Sequence, residues 1–220
     1  MKTVAVIVAV AAAIGAAAIA GCKAMAAWNG AKTAKFTGRV PGKVAVVYYS
    51  QSKVGNTATV AKWIQEATGG DLVEIKPVEA YPEPYTATLA AAREELESGK
   101  YREIEPLPDM DGYDVVFVGT PIWYGTWAFP VAKFFEGRDF KGKTVVPFST
   151  HGGGGAGRFA ADVKRVCRDA NVLESFTARG SNQIERRVGV GVTTHGAQKD
   201  VVEWLERIFG SGKEDATSEK

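Results

Sequence analysis

Cysteine and histidine are scarce in this 220-residue chain, with two of each. No His/Cys cluster stands at metal-ligand spacing, so no metal centre is expected. Cys22 and Cys167 lie far apart in sequence, one inside an unusual N-terminal segment, which argues against a disulfide. Cys167 falls in the helical pattern ADVKRVCRDA and reads as a small buried hydrophobe. A charge excess of one sign is also lacking: 27 Lys and Arg against 25 Asp and Glu leave a net charge of +2. Bulk electrostatics therefore give no reason to expect nucleic acid or another polyanion as partner. What is present is ordinary globular composition, 45% hydrophobic and 24% charged, enough for one well-cored domain.

The first 21 residues are set aside from the fold. They hold one Lys and then an uncharged Ala/Val/Ile run from Thr3 to Gly21, the pattern of a signal peptide or membrane anchor. Ile19-Ala20-Gly21-Cys22 resembles a bacterial lipobox, which implies cleavage before Cys22 and acylation of that residue. The resemblance implies a protein of the bacterial cell envelope, extracytoplasmic and membrane-anchored. An uncleaved anchor stays open, because Thr3–Gly21 as a helix would span about 28 Å, close to the hydrocarbon thickness. Lys23, Lys32, Lys35 and Arg39 put more positive charge after the segment than before it, as a cytoplasmic-side anchor would. Residues 22–42 then read as a lipidated Cys and a flexible tether, and 211–220 as a disordered tail.

From Lys43 to Gly210 the pattern is regular and predicts one domain. KVAVVYYS is a continuous apolar run, as in a strand buried on both faces. TATVAKWIQEAT follows with apolar residues at helical spacing. DLVEIKP predicts a second strand, and TATLAAAREELESG a helix stopped by Gly99. DVVFVGTPIW, KTVVPFST and NVLESFTARG predict the third, fourth and fifth strands, with helices FPVAKFFEG, RFAADVKRVCRDA and AQKDVVEWLERIFG between and after them. Such alternation predicts a doubly wound α/β fold, a parallel sheet with helices on both faces. Ligands of such sheets bind outside the carboxyl ends of the strands, at the topological switch point. The loops after the first, third and fourth strands are therefore expected to form the site.

Those loops carry unusual composition. Ser50–Thr57 runs straight into a helix, whose N-terminal N–H groups and partial positive charge suit a phosphate. The loop has no Gly-Lys-Ser/Thr, so it is not a nucleoside-triphosphate P-loop. A capping loop would use the same residue types. GTPIWYGTW gathers Trp123, Tyr124 and Trp127 at a strand end, where flat rings can stack on a planar ligand or simply pack under a neighbouring loop. STHGGGGAG offers consecutive N–H groups to an electron-rich edge; His151 is either a donor to the ligand or a polar loop residue. A phosphate site, a stacking site and a donor-rich loop on one edge suggest flavin mononucleotide (FMN).

YYSQSKVGNT, GTPIWYGT and FSTHGGGGAG, in this order and spacing, resemble the flavodoxin-like superfamily, in particular a bacterial branch of small flavodoxin-fold proteins. The resemblance implies a five-stranded parallel sheet in the order 2-1-3-4-5 and non-covalent FMN. It implies that Ser50, Ser52, Gly55, Asn56 and Thr57 hold the phosphate. Pro121, Ile122, Trp123, Tyr124 and Gly125 would flank the isoalloxazine, and Thr150, His151, Gly152, Gly153 and Gly154 would meet its pyrimidine edge. Two departures stand out. Val54 occupies a position where the family commonly has a hydroxyl, and the loop is two residues longer when counted from Ser50. The chain also lacks the strong acidity of electron-carrier flavodoxins. A quinone- or nitroreductase-like flavoprotein capable of two-electron reduction is therefore expected, with a small-molecule or protein redox partner. A one-electron carrier and a flavin-free binding module on the same fold are the alternatives. Related enzymes often dimerise, so a homodimer is left open.

Overall fold

The structure is a computed structural model that describes residues 34–182, 192 and 195–210. The candidate anchor, Cys22, the start of the tether and the tail 211–220 lie outside the described residues. The elements in chain order are β1 (Val44–Tyr48), α1 (Asn56–Thr68), β2 (Asp71–Glu74), α2 (Tyr85–Ser98), β3 (Val115–Trp123), β4 (Thr126–Trp127), α3 (Phe129–Phe135), β5 (Thr144–His151), α4 (Phe159–Val166), β6 (Asn171–Val172), β7 (Phe176–Arg179) and α5 (His195–Phe209).

β1 pairs in parallel with both β2 and β3, and β3 in parallel with β5. Strand alternation sends successive side chains to opposite faces and so builds two cores. Val46, Tyr48, Phe117, Val146 and Phe148 meet Val60 and Ile64 of α1 and Trp204 and Leu205 of α5. Ala45, Val47, Val116, Val118 and Val145 meet the opposite layer, which includes Ala92, Phe134 and Phe159 from α2, α3 and α4. Val46, Val47, Ile64, Leu205 and Trp204 are all fully buried, and burying each aliphatic one contributes about 1.5–3 kcal/mol.

The expected order 2-1-3-4-5 is seen as β2-β1-β3-β5-β6, with two additions. β4 is a short antiparallel partner of β3. The fifth strand is interrupted: β6 pairs with the start of β5 and β7 with its end. Between them the Glu174 carbonyl turns out of the ladder and accepts the indole N–H of Trp204 at 3.1 Å.

The expected tether is shorter than its composition suggests. Phe36 and Val40 are buried in the core shared by α1 and α5. The Thr37 N–H and hydroxyl both donate to Glu206 Oε1, at 2.6 and 2.8 Å. Residues 34–42 therefore lie on the domain; two isolated apolar anchors among Ala, Gly and Lys do not announce a packed segment. Among the described residues, no helix is long and apolar enough to cross a membrane.

Candidate functional site

The loop after β1 is built as an anion-facing helix start. A β-turn closes over Ser52–Gly55, with the Gly55 N–H donating to the Ser52 carbonyl at 2.8 Å. Gly55 then caps α1 in the left-handed region, φ +67, which a residue with a Cβ adopts only under strain. The Ser52 hydroxyl accepts the Asn56 N–H at 3.3 Å. Thr57 is buried, and its hydroxyl lies 2.9 Å from that of Thr150, tying the first loop to β5. Ser50 Oγ is buried at the root of the loop without a hydrogen-bond partner among the described residues. Asn56 does something the sequence did not reveal. Its carboxamide donates to the Ser181 carbonyl at 2.9 Å and accepts the Ser181 N–H at 3.0 Å, clamping the loop to the end of β7.

The second loop is less a loop than a strand end with a tight hairpin. β3 runs through Trp123, and Tyr124 and Gly125, at φ +47 and +78, turn the chain into β4. Two successive positive φ values match the twist of the flanking strands, which is why a glycine stands second. The Tyr124 hydroxyl donates to the Leu89 carbonyl of α2 at 2.8 Å. Trp123 is held edge-on by Tyr49 and Tyr81, with ring centroids 5.8 and 4.8 Å away. Tyr81 in turn donates to Glu95 Oε2 at 2.7 Å, and Glu95 Oε1 accepts from Arg102 Nε at 2.6 Å. Trp127 packs against Phe135 and Phe159 and is not among the residues that line the cavity formed by these loops.

The glycine-rich loop is organised by His151. Its Nδ1 accepts the N–H groups of Gly153 and Gly155, at 3.0 and 3.1 Å, so the neutral ring carries its proton on Nε2. Two of the loop's N–H groups are thus turned inward. Burial, and then the Arg179 charge, hold His151 below its ordinary value of 6.5. The unfolded chain binds that proton at a pH where the folded chain does not. Stability is therefore full above the unfolded value and is lost as the pH falls through 6.5 toward the folded one. His151→Gln should shrink the loss of melting temperature between about pH 7.5 and about pH 5.5. An unchanged loss would remove His151 from this role.

These loops converge on an open cavity of about 600 Å³. Of the expected residues, Ser52, Asn56, Thr57, Pro121, Ile122, Trp123, Thr150, His151 and Gly152 line it. Ser50, Gly55, Tyr124, Gly125, Gly153 and Gly154 support it from behind or stand beside it. Two groups of lining residues were not expected. Arg179, Gly180, Ser181 and Asn182 come from the end of β7 and the residues after it, and Glu83, Pro84, Tyr85 and Thr88 from the connection into α2 and the start of that helix. The first group follows from the switch-point rule, since β7 lies parallel to β5 and ends at the same edge.

A parallel sheet with helices on both faces and a crevice at the carboxyl ends of β1, β3, β5 and β7 defines a doubly wound α/β protein. A family model described as Flavodoxin matches residues 43–187, and the chain belongs to that family. Among solved structures it is similar to a protein assigned as a flavoprotein from Bacteroides eggerthii DSM 20697, at 30% identity over 76% of this chain and 97% of that one, TM-score 0.61. A second, assigned likewise, from Bacteroides uniformis ATCC 8492, shares 25% identity over 75% of this chain and 98% of that one, TM-score 0.61. A flavoprotein from Lactobacillus acidophilus NCFM, solved in complex with FMN, shares the fold at 24% identity over 66% of this chain and 97% of that one, TM-score 0.54. No curated protein matches the chain.

Proposed function

We propose that the chain binds FMN non-covalently and acts as an oxidoreductase capable of two-electron reduction, passing electrons between small-molecule or protein redox partners. One observation carries the reading: a helix N-terminus with hydroxyls, an apolar wall ending in Trp123, and a polar loop headed by His151 line a single cavity. Bound FMN supplies the redox chemistry, and the chain binds, orients and shields it. The open first turn of α1, Ser52 and Thr57 would hold the phosphate, with Ser50 behind them. Pro121, Ile122 and Trp123 would flank the ring. Thr150, His151 Nε2–H and Gly152 would meet its polar edge. Arg179 adds positive charge at that end, and Glu83, paired with Lys53, is the one carboxylate among the described lining residues. Such an environment favours the reduced, negatively charged cofactor. An absorbance titration with FMN followed by anaerobic stepwise reduction tests both parts. Binding and reduction in one two-electron step are expected. Two resolved one-electron steps would favour a carrier, and no flavin uptake a flavin-free module.

We also propose that Cys22 is acylated and tethers the domain to the membrane. Mass spectrometry of the membrane-extracted protein should show an N-terminal lipid-modified Cys22; a free thiol there would remove the proposal.

A further inference from the structure

The loop after β1 is two residues longer than the family pattern when counted from Ser50, and its second half closes as the β-turn over Ser52–Gly55. Lys53 stands at the tip of that turn and lines the cavity. The same loop is short of a hydroxyl, because Val54 is buried where the pattern has one. A cation therefore arrives where a hydrogen-bond donor is missing.

Resting on the FMN reading, we propose that Lys53 is a phosphate-binding residue, held by Glu83 in the free protein and transferred to the cofactor phosphate on loading. Lys53 Nζ pairs with Glu83 Oε2 at 2.6 Å, and both residues line the cavity, one from the loop after β1 and one from the connection into α2. Their side chains are 66% and 61% exposed. An ion pair so exposed contributes little and is readily exchanged. A phosphate monoester carries about −1.5 to −2 charge near neutral pH, more than the single charge of a carboxylate, and lysine serves it as a point charge. No acidic residue lies in the first turn of α1 to oppose it. Glu83 thus acts as a competitor for Lys53. Removing it should tighten FMN, whereas removing Lys53 should loosen it.

Riboflavin, which lacks the phosphate, separates this charge effect from the rest of the site. Dissociation constants for FMN and riboflavin would be measured by flavin fluorescence quenching in wild type, Lys53→Met and Glu83→Gln, at low and high salt. Lys53→Met should weaken FMN about tenfold, flatten its salt dependence and leave riboflavin unchanged. Glu83→Gln should tighten FMN several-fold at low salt and leave riboflavin unchanged. Wild-type binding of FMN with an unaltered constant in Lys53→Met would overturn the assignment of Lys53 alone. So would an equal loss for both flavins, which would mean that Lys53 only shapes the turn. Wild type that takes up neither flavin would overturn the FMN reading itself, and this inference with it.

Discussion

Glu95→Ala is expected to lower the free energy of unfolding by about 3–5 kcal/mol, measured by urea denaturation. Glu95 lies on the inward face of α2, where the buried positions are Thr88, Ala92 and Glu95. Its carboxylate joins two groups that depend on it. Arg102 is 15% exposed at its side chain, against 9% for Glu95, and sits 3.8 Å from the Tyr81 ring centroid. Without the carboxylate, Arg102 would keep only the carbonyls of Glu79 and Ala80 among its hydrogen bonds, at 3.0 and 3.1 Å. The Tyr81 hydroxyl would lose its acceptor in a buried place. An unpaired buried charge is the costly outcome, and replacing both members by apolar residues is not. Glu95→Leu combined with Arg102→Leu should therefore recover most of the loss. A single substitution costing under about 1 kcal/mol would show that water already reaches the pair. The effect extends to the cavity, because Tyr81 is the edge-on support of Trp123. Flavin affinity in Glu95→Ala should fall along with stability.

Glu95 also shows where sequence reading stops. The sheet was legible because β1, β3 and β5 carry continuous apolar runs, and the doubly wound order follows from the alternation of strands with helices. α1 and α5 were legible because apolar residues recur at helical spacing. The buried stripe of α2 is Thr-Ala-Glu, polar at two of its three positions, so the helix-forming residues and the Gly99 stop mark the helix without marking its inward face. The fifth strand read as one run because nothing in NVLESFTARG signals that the Glu174 carbonyl leaves the sheet for Trp204. At the site, the three loops were found from composition and the switch-point rule, and nine of their residues do line the cavity. The wall from Glu83 to Thr88 was not found, since its place depends on how a long connection folds back. The Asn56–Ser181 clamp joins positions 125 apart in sequence, and no local pattern encodes it.

Gly152→Phe is expected to weaken FMN binding by about 100-fold or more, equivalent to about 2.7 kcal/mol, while leaving the fold intact. The position is chosen by elimination among the glycines of the loop. Gly153 has φ +135, where any side chain would strain the backbone and confuse stability with binding. Gly152 has no such constraint, and a Cβ built there meets no atom within 4 Å. It also lines the cavity, so the added ring would occupy ligand space instead of core. Gly154 provides the matched control. A Cβ there is equally free of contacts, yet Gly154 does not line the cavity. Gly154→Phe should keep near-native affinity and a near-native melting temperature. The pair decides how the glycine run is used. If both substitutions abolish binding, the whole loop embraces the cofactor as the family resemblance alone implies. If only Gly152→Phe does, contact is confined to the Thr150–Gly152 strand end, and the inward N–H groups of Gly153 and Gly155 serve His151. Full affinity in Gly152→Phe would place the ring elsewhere in the crevice and would remove this loop from the site.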